Sequence, residues 1–153
     1  LEYVGLAAAV GSFCDEVSAR HDVKIEYVHD HVPADLRDGV AVSLFRVLQE
    51  ALSNAVKHSG ARHYTTTLRG GDDEVTLDVA DDGRGFDTET AVKGRGLGLI
   101  SMQERLNLLH GSVTISSRPG AGTTVRASVP LREVVAVQSE SPSDDPPVVS
   151  TTA

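Results

Sequence analysis

The stretch Phe45–His58, which reads FRVLQEALSNAVKH, decides the fold expected for this chain. In and before it, apolar residues recur every three or four positions. They are Val40, Leu44, Val47, Leu48, Ala51, Leu52 and Val56. This is the spacing of one buried face of an α-helix, and Gly60 is suited to end it. The pattern predicts an amphipathic helix that begins near Asp38.

A polar stripe follows the same helix. Arg46, Glu50, Asn54 and Lys57 are separated by four, four and three residues, so we expect them to lie opposite the apolar face. Such a stripe is commonly just solvated surface with a weak Arg46/Glu50 ion pair. Asn is a poor helix former, however, and its carboxamide oxygen is a hard ligand suited to Mg²⁺. Asn54 is therefore a candidate metal ligand, Glu50 could hold a metal-bound water or act as a base, and Lys57 could face a phosphate.

Outward from this helix, the chain alternates between helical and strand-like patterns. Apolar spacing predicts further helices within 1–20 and 99–109. The strand-like runs are 23–27, 62–68, 75–79, 112–117 and 123–129. The second and third strands form one predicted hairpin, and the last two form another. This order favours an α/β fold: a two-layer α/β sandwich with helices on one face of a mixed sheet.

A glycine-containing box, DDGRG at residues 81–85, comes directly off a predicted strand. Asp-Gly pairs are common in ordinary turns. Two glycines at alternate positions, however, let the backbone approach a ligand closely. A carboxylate at a strand end can accept a hydrogen bond from the amino group of adenine, but not from O6 of guanine. Asp81 is therefore a candidate adenine ligand.

A second glycine box, GRGLG at residues 94–98, immediately precedes a predicted helix. Alone, such a run often marks a flexible linker. The free N–H groups and partial positive charge of a helix N-terminus also suit a di- or triphosphate. The box is neither the dinucleotide-binding fingerprint nor a P-loop, since it lacks the context of the first and the GK[ST] of the second. We expect residues 81–98 to be a long loop that acts as a lid over a nucleotide.

Taken in order, four segments resemble the N, G1, G2 and glycine-threonine boxes of the histidine-kinase ATP-binding domain. The segments are QEALSNAVKH at 49–58, DDGRGF at 81–86, GRGLGL at 94–99 and GAGTT at 120–124. That domain has the Bergerat fold of the ATPase superfamily that includes gyrase and MutL. The first box and GLISMQER at 98–105 resemble most closely the sensor kinases paired with LuxR-type response regulators. The resemblance covers roughly residues 23–131.

The resemblance implies ATP and Mg²⁺ as cofactors and a role for each matched position. Asn54 would bind Mg²⁺, Glu50 would assist at the metal or its water, and Lys57 and His58 would lie near the phosphates or ribose. Asp81 would accept the adenine amino group in a pocket shaped by Gly83 and Gly85. Thr123 or Thr124 would close the adenine side. The lid hinge and phosphate cradle would be formed by Gly94, Arg95, Gly96, Leu97 and Gly98.

Kinases of this kind carry the acceptor histidine, often followed by an acid, on a dimerising pair of long helices. His21-Asp22 and His29-Asp30 have that dipeptide, but too few residues precede either to build such a helical pair. We expect both to be surface residues. The sequence therefore predicts the ATP-binding half of a kinase, with its acceptor on a dimerisation domain of the same full-length protein, a homodimer, and a LuxR-type response regulator as partner.

Composition limits the remaining possibilities. The 153 residues fit one domain, expected at 1–132, followed by a disordered acidic Ser/Pro tail at 133–153. The net charge of −8 argues against direct nucleic-acid binding, and no apolar run approaches the ~20 residues of a membrane span. We expect a cytoplasmic domain without membrane contact, with the single Cys14 as a small buried residue.

Two alternatives stay open at this point. An anti-sigma-factor-type serine kinase shares the fold and approaches this size. A nucleotide-binding module that only switches conformation, without catalysis, would need the same ATP pocket. The presence of Glu50, Asn54 and Asp81 counts against a degenerate site without excluding it.

Overall fold

A computed structural model of the chain describes residues 5–85 and 100–132. The elements follow the order expected from the sequence. They are α1 (Gly5–His21), β1 (Lys24–Asp30), α2 (Val40–His58), β2 (His63–Gly70), β3 (Glu74–Asp81), α3 (described from 100 to 107), β4 (Ser112–Ser117) and β5 (Thr123–Pro130). All five predicted strands are present, and most run one to three residues longer than the apolar alternation alone indicated.

The five strands form one mixed sheet in the order β1-β2-β3-β5-β4. β1 pairs with β2 in parallel, and the other three pairings are antiparallel. The parallel pair requires a crossover connection, which α2 supplies, whereas β2-β3 and β4-β5 are the two predicted hairpins. β5 lies between β3 and β4, so it joins the two hairpins into one sheet.

The helices α1 and α2 pack on one face of this sheet. α1 contacts α2 and β1, and α2 contacts β3 and β5. The strands bury alternate residues against them, such as Leu68, Leu77 and Ala127, which lie in one cross-strand row. The opposite face carries polar side chains, including the Asp78–Arg126 ion pair. The predicted two-layer α/β sandwich is therefore confirmed.

The central helix α2 is 19 residues long. Its buried residues include Val40, Leu44, Leu48 and Leu52, as its periodicity predicts. The helix ends at Ser59, whose N–H donates to the carbonyl oxygen of Ala55 at 2.9 Å, and Gly60 follows with φ +73°. A left-handed residue directly after the last turn is a common helix terminus and favours glycine.

One detail of the predicted face of α2 needs correction. The polar stripe of α2 does not lie wholly opposite the core: Arg46 and Lys57 are exposed, but Glu50 and Asn54 are half-buried. The reason is the helical period of 3.6, which places Asn54 beside the buried Ala51. In α1, Cys14 is buried, as the sequence predicts, and burial raises the pKa of its thiol, while Phe13 packs edge-on against Phe45.

Arg37 holds the start of α2 at the end of the sheet where Pro130 lies. Its Nε donates to the carbonyl oxygen of Pro130 at 3.1 Å, and its Nη2 donates to that of Leu109 at 2.6 Å. These bonds link the segment before α2 to the turn after α3 and to β5. Asp81 and Thr123 lie at the opposite end of the same strands, because Glu74 pairs with Pro130 and Asp81 with Thr123. Within the described residues, no helix is both long and apolar enough to cross a membrane.

Candidate nucleotide-binding site

Four polar residues line up across the end of the sheet opposite Arg37. Asp81 on β3 pairs with Tyr64 on β2 and with Thr123 on β5, and Thr123 pairs with Ser117 on β4. Each lies two positions from a residue that faces the helices, so all four share that face. We call this set, Tyr64, Asp81, Thr123 and Ser117, the polar row. It places hydrogen-bonding groups at the edge of an otherwise apolar layer.

Asp81 is the charged member of the polar row, and its carboxylate is held in a defined orientation. The N–H of Gly83 donates to Oδ1 at 2.8 Å. Burial raises the pKa of Asp81, as does the negative charge of Asp82, while the backbone N–H groups of Gly83 and Thr123 oppose that rise. A carboxylate has about four acceptor positions, so these bonds leave Asp81 able to accept from a ligand.

The loop after β3 packs onto the C-terminal end of α2. The N–H of Arg84 donates to the carbonyl oxygen of Ser59 at 2.8 Å. A Cβ at Gly83 would lie only 2.6 Å from the Cβ of Ser59, so no larger residue fits there without a shift. The Arg84 guanidinium lies over Gly60, where a Cβ would meet Nη2 at 3.1 Å. These contacts bring the DDGRG box to the helix that carries Asn54.

The turn between β4 and β5 closes the same loop from the other side. Gly120 N–H donates to the carbonyl oxygen of Arg84 at 2.5 Å. Gly85 has φ +64°, and a Cβ there would overlap the carbonyl oxygen of Arg118. Gly122 has φ +80°, and a Cβ there would overlap the carbonyl oxygen of Asp81. The glycines of these boxes thus allow close packing of protein backbone around the Asp81 end of the sheet.

The candidate phosphate and metal residues lie on the last two to three turns of α2. Glu50 and Asn54 are half-buried one turn apart, and Lys57 and His58 are exposed in the last turn. The Tyr64 hydroxyl donates to the carbonyl oxygen of Ala61 at 2.9 Å, which joins the polar row to the segment that follows α2. Across residues 5–85 and 100–132, no three His, Cys, Asp or Glu side chains form a metal-binding group.

The structure separates the two threonines that sequence reasoning treated alike. Thr123 belongs to the polar row and faces the helices, whereas Thr124 pairs with Ala80 and Ser116 on the open face of the sheet. Successive residues of a strand point to opposite faces, so only Thr123 shares the face of Asp81, and the prediction for Thr124 receives no support from this register. The predicted lid residues Gly94, Arg95, Gly96, Leu97 and Gly98 lie outside the described residues.

Sequence reasoning missed Tyr64, Ser117 and Ser59 as residues of this region, and gave no role to Gly122. One signal was available for the strand residues. Asp81 continues the alternation of the apolar positions of β3 by one step, and Ser117 does the same on β4. Their alignment across four strands depends on register, which the apolar pattern of one strand does not contain.

The sandwich and the polar row beside the end of α2 form a candidate nucleotide-binding site. A family described as "Histidine kinase-, DNA gyrase B-, and HSP90-like ATPase" matches residues 39–133, which include α2, β3 and β5. The chain belongs to this family of ATPases. Membership confirms the predicted family, and ATP binding is the property that the family implies.

Two curated relatives are both named signal transduction histidine-protein kinase/phosphatase DegS. The protein from Bacillus subtilis (strain 168) is 45% identical over 92 residues, which cover 59% of this chain and 24% of that protein. The protein from Brevibacillus brevis is 30% identical over 131 residues, covering 86% of this chain and 34% of that protein. The chain thus spans about a quarter to a third of their length.

Among solved structures, the chain is similar to the histidine kinase domain from the Erythrobacter litoralis EL346 blue-light activated histidine kinase. The TM-score is 0.66 at 22% sequence identity, and the match covers 83% of this chain and 65% of that one. At this identity the likeness establishes the fold. It agrees with the mixed five-stranded sheet and its helical layer.

Proposed function

We propose that the chain is the ATP-binding catalytic domain of a sensor histidine kinase. In this proposal it binds Mg-ATP and donates the γ-phosphoryl group to a histidine on a dimerisation domain of the same full-length protein. The observation that carries the proposal is Asp81, a half-buried carboxylate held at the end of the sheet beside the C-terminal end of α2. The relatives named as histidine kinases favour this function over the serine kinase.

Recognition of adenine is the first task of the site. Asp81 accepts a hydrogen bond from the adenine amino group, and Thr123 lies next to it on the same face. Gly83 and Gly85 keep the carboxylate in place through the backbone contacts described above. Lys57 and His58, exposed at the end of α2, lie near the phosphates or ribose. The predicted phosphate cradle at residues 94–98 completes the site.

The side chains on α2 fit Mg²⁺ better than a metal that needs a full protein cage. Asn54 offers a carboxamide oxygen, and Glu50 offers a carboxylate one turn away, both half-buried. Mg²⁺ usually keeps several waters and takes substrate phosphates as ligands, so one or two protein oxygens suffice. When bound, the ion would neutralise charge on the β- and γ-phosphates. Asn54 would hold it, and Glu50 would orient its water.

Phosphoryl transfer then depends on positioning. A nitrogen of the acceptor imidazole forms a bond to the γ-phosphorus, the bond from that phosphorus to the β,γ-bridging oxygen breaks, and ADP leaves with the electron pair. The proton of the imidazole passes to a base, for which Glu50 is the candidate on α2. Little covalent chemistry is asked of the protein, so the alignment of adenine, phosphates and acceptor determines the rate.

The partners follow from the same proposal. We expect a homodimer through the dimerisation domain and a LuxR-type response regulator as the next phosphoryl acceptor, since residues 49–58 and 98–105 resemble that class of kinase. We also expect the domain to be cytoplasmic, because ATP and such regulators are found there. The net charge of −8 agrees with the absence of direct nucleic-acid contact.

The test is a two-stage reconstitution with the 153-residue chain. ATP affinity is first measured by titration calorimetry with and without Mg²⁺. A purified dimerisation hairpin that carries a histidine is then added with radiolabelled ATP, and acid-labile, base-stable phosphate on the hairpin is the expected product. Asp81→Asn should lower ATP affinity at least about tenfold, the effect of losing roughly 1.4 kcal/mol.

Asp82→Asn is the matched control, because Asp82 is an exposed neighbouring carboxylate outside the polar row. It should leave ATP affinity within about twofold. No ATP binding at millimolar concentration would refute the proposal, as would equal effects of the two substitutions. Acid-stable phosphoserine on a partner protein would instead support the serine kinase, and ATP binding without transfer would support the switch module.

A further inference from the structure

The hydroxyl of Ser117 contacts the neighbouring Thr123 and the glycine before it. Ser117 Oγ donates to the carbonyl oxygen of Gly122 at 3.1 Å. Ser117 Oγ and Thr123 Oγ1 are 2.7 Å apart, a distance at which one hydroxyl donates to the other. Both side chains belong to the polar row, and both are half-buried. Ser117 therefore contacts Thr123, one of the two members of the row that are adjacent to Asp81.

Either hydroxyl could donate in the Ser117–Thr123 contact, and the bond from Ser117 to Gly122 favours one of the two directions. A serine hydroxyl has one hydrogen, and the carbonyl oxygen of Gly122 has none to give. If the Ser117 hydrogen points to Gly122, the 2.7 Å contact is satisfied when Thr123 donates to Ser117. The hydrogen of the Thr123 hydroxyl is then already used, and its oxygen presents only lone pairs to a ligand.

A pair of adjacent acceptors follows from this arrangement. Asp81 and Thr123 are directly opposite each other on β3 and β5, and such pairs have Cβ atoms about 4.5–5.5 Å apart. Asp81 contributes carboxylate oxygen, and Thr123 contributes a hydroxyl oxygen that only accepts. The amino group on C6 of adenine has two N–H donors. Two acceptors side by side are complementary to that group, directly or through a water.

We propose that Ser117 is a positioning residue that fixes Thr123 as a hydrogen-bond acceptor and thereby contributes to recognition of the 6-amino group of the purine. The inference rests on the proposed ATP site. Ser117 acts through Thr123 and need not touch the nucleotide. Without its oxygen, the Thr123 hydroxyl loses its intramolecular acceptor and turns its hydrogen toward the ligand, where the amino group cannot use it.

The experiment compares two nucleotides that differ only at C6. Dissociation constants of ATP and of purine riboside triphosphate, which has hydrogen in place of the amino group, are measured with Mg²⁺ for the wild-type chain and for Ser117→Ala. The wild type should prefer ATP. Ser117→Ala should reduce that preference about three- to tenfold, mainly by weakening ATP, and Ser117→Thr, which keeps a hydroxyl, should restore it.

Ser116→Ala is the matched control, since Ser116 is the preceding residue of β4 and faces the open side of the sheet. It should leave the preference unchanged. In a Thr123→Val background, Ser117→Ala should have no further effect on the preference, because the hydroxyl through which it acts is gone. Thr123→Val alone should reduce the preference to a similar extent, which keeps the inference testable if Ser117→Ala folds poorly.

Three results would overturn the inference. They are an equal loss of affinity for both nucleotides in Ser117→Ala, an effect of Ser117→Ala that persists with Thr123→Val, and an unchanged preference in Thr123→Val. A different result, no binding of either nucleotide by the wild-type chain, would refute the proposed ATP site itself. If the wild-type chain binds ATP and the variants keep its preference for ATP over purine riboside triphosphate, the proposed ATP site is supported and only the role of Ser117 is refuted.

Discussion

At the scale of single residues, Asp81 shows how a binding requirement opposes stability. Burial raises the pKa of its carboxyl group, so the folded protein disfavours the charged form that adenine recognition needs. The N–H groups of Gly83 and Thr123 offset part of this cost. A ligand-free domain therefore keeps an unfavourable buried charge in place for its ligand.

We predict that Asp81→Asn raises the free energy of unfolding at neutral pH while it weakens ATP binding. The folded-state pKa of Asp81 lies above its unfolded value, so the contribution of this carboxyl group to wild-type stability increases as pH falls and it takes up a proton. Asn is neutral at every pH. The advantage of the variant should therefore shrink as pH falls through the raised pKa, which urea unfolding at several pH values would measure.

The control for this prediction is Asp72→Asn in the exposed turn between β2 and β3. It should change the free energy of unfolding at neutral pH by no more than about 0.5 kcal/mol. If Asp81→Asn were less stable than the wild type at neutral pH, the hydrogen bonds to the carboxylate would outweigh its burial, and the stated conflict between binding and stability would be wrong.

The sequence named candidate residue types for the site, but it did not show on which face of the sheet each side chain lies. The choice of Asp81 followed from a carboxylate at a strand end. The choice between Thr123 and Thr124 depended on which face of β5 meets the helices, and adjacent threonines carry no internal signal for that. Ser117 became visible only when four strands were aligned.

At the scale of elements, the docking of the loop after β3 onto α2 assembles the site. Two boxes that are more than 20 residues apart in the chain meet at Ser59, where Arg84 N–H donates to its carbonyl oxygen and Gly83 leaves room for the contact. The sequence alone did not indicate that Gly83 and Ser59 are in contact. The spacing of the boxes shows that they belong together, and the packing shows where they touch.

We predict that Gly83→Ala separates the two boxes. The added Cβ would lie 2.6 Å from the Cβ of Ser59, so either the loop or the end of α2 must move. Such overpacking costs about 1–3 kcal/mol of unfolding free energy. ATP affinity should fall as well, because Asp81 would shift relative to Asn54. Chemical denaturation and nucleotide titration measure the two effects.

Gly71→Ala is the matched control, since a Cβ there would make an ordinary 3.5 Å contact with the carbonyl oxygen of Glu74. It should change stability by no more than about 0.5 kcal/mol. Equal effects of the two substitutions on stability and on ATP affinity would show that the Gly83 contact does not position the loop.

At the scale of the whole molecule, the two ends of the sandwich carry different groups. At one end, Arg37, just before α2, donates hydrogen bonds to β5 and to the turn after α3. The polar row lies at the other end. The core between them is a continuous cluster that includes Leu44, Leu77 and Leu106. We propose that this body, residues 1–132, contains all that the fold and ATP binding require.

We predict that removal of residues 133–153 leaves the unfolding free energy within about 0.5 kcal/mol and ATP affinity within about twofold. The segment carries four of the 22 acidic residues without Lys or Arg. It also holds three of the six prolines, which disfavour a regular helix or strand. Thermal unfolding and calorimetry on the shortened and full chains would measure this. A fall in the melting temperature of several degrees would place part of the folded body beyond residue 132.

The sequence by itself determined the class of fold, the positions of helices and strands, and the kind of chemistry, because apolar period and glycine placement are local properties of the chain. Tertiary structure alone decided that β5, rather than β4, lies beside β3. That choice sets Thr123 against Asp81, brings Ser117 into the polar row and excludes Thr124. Pairing between distant strands depends on how whole faces pack together, and a single strand's pattern does not specify its neighbour.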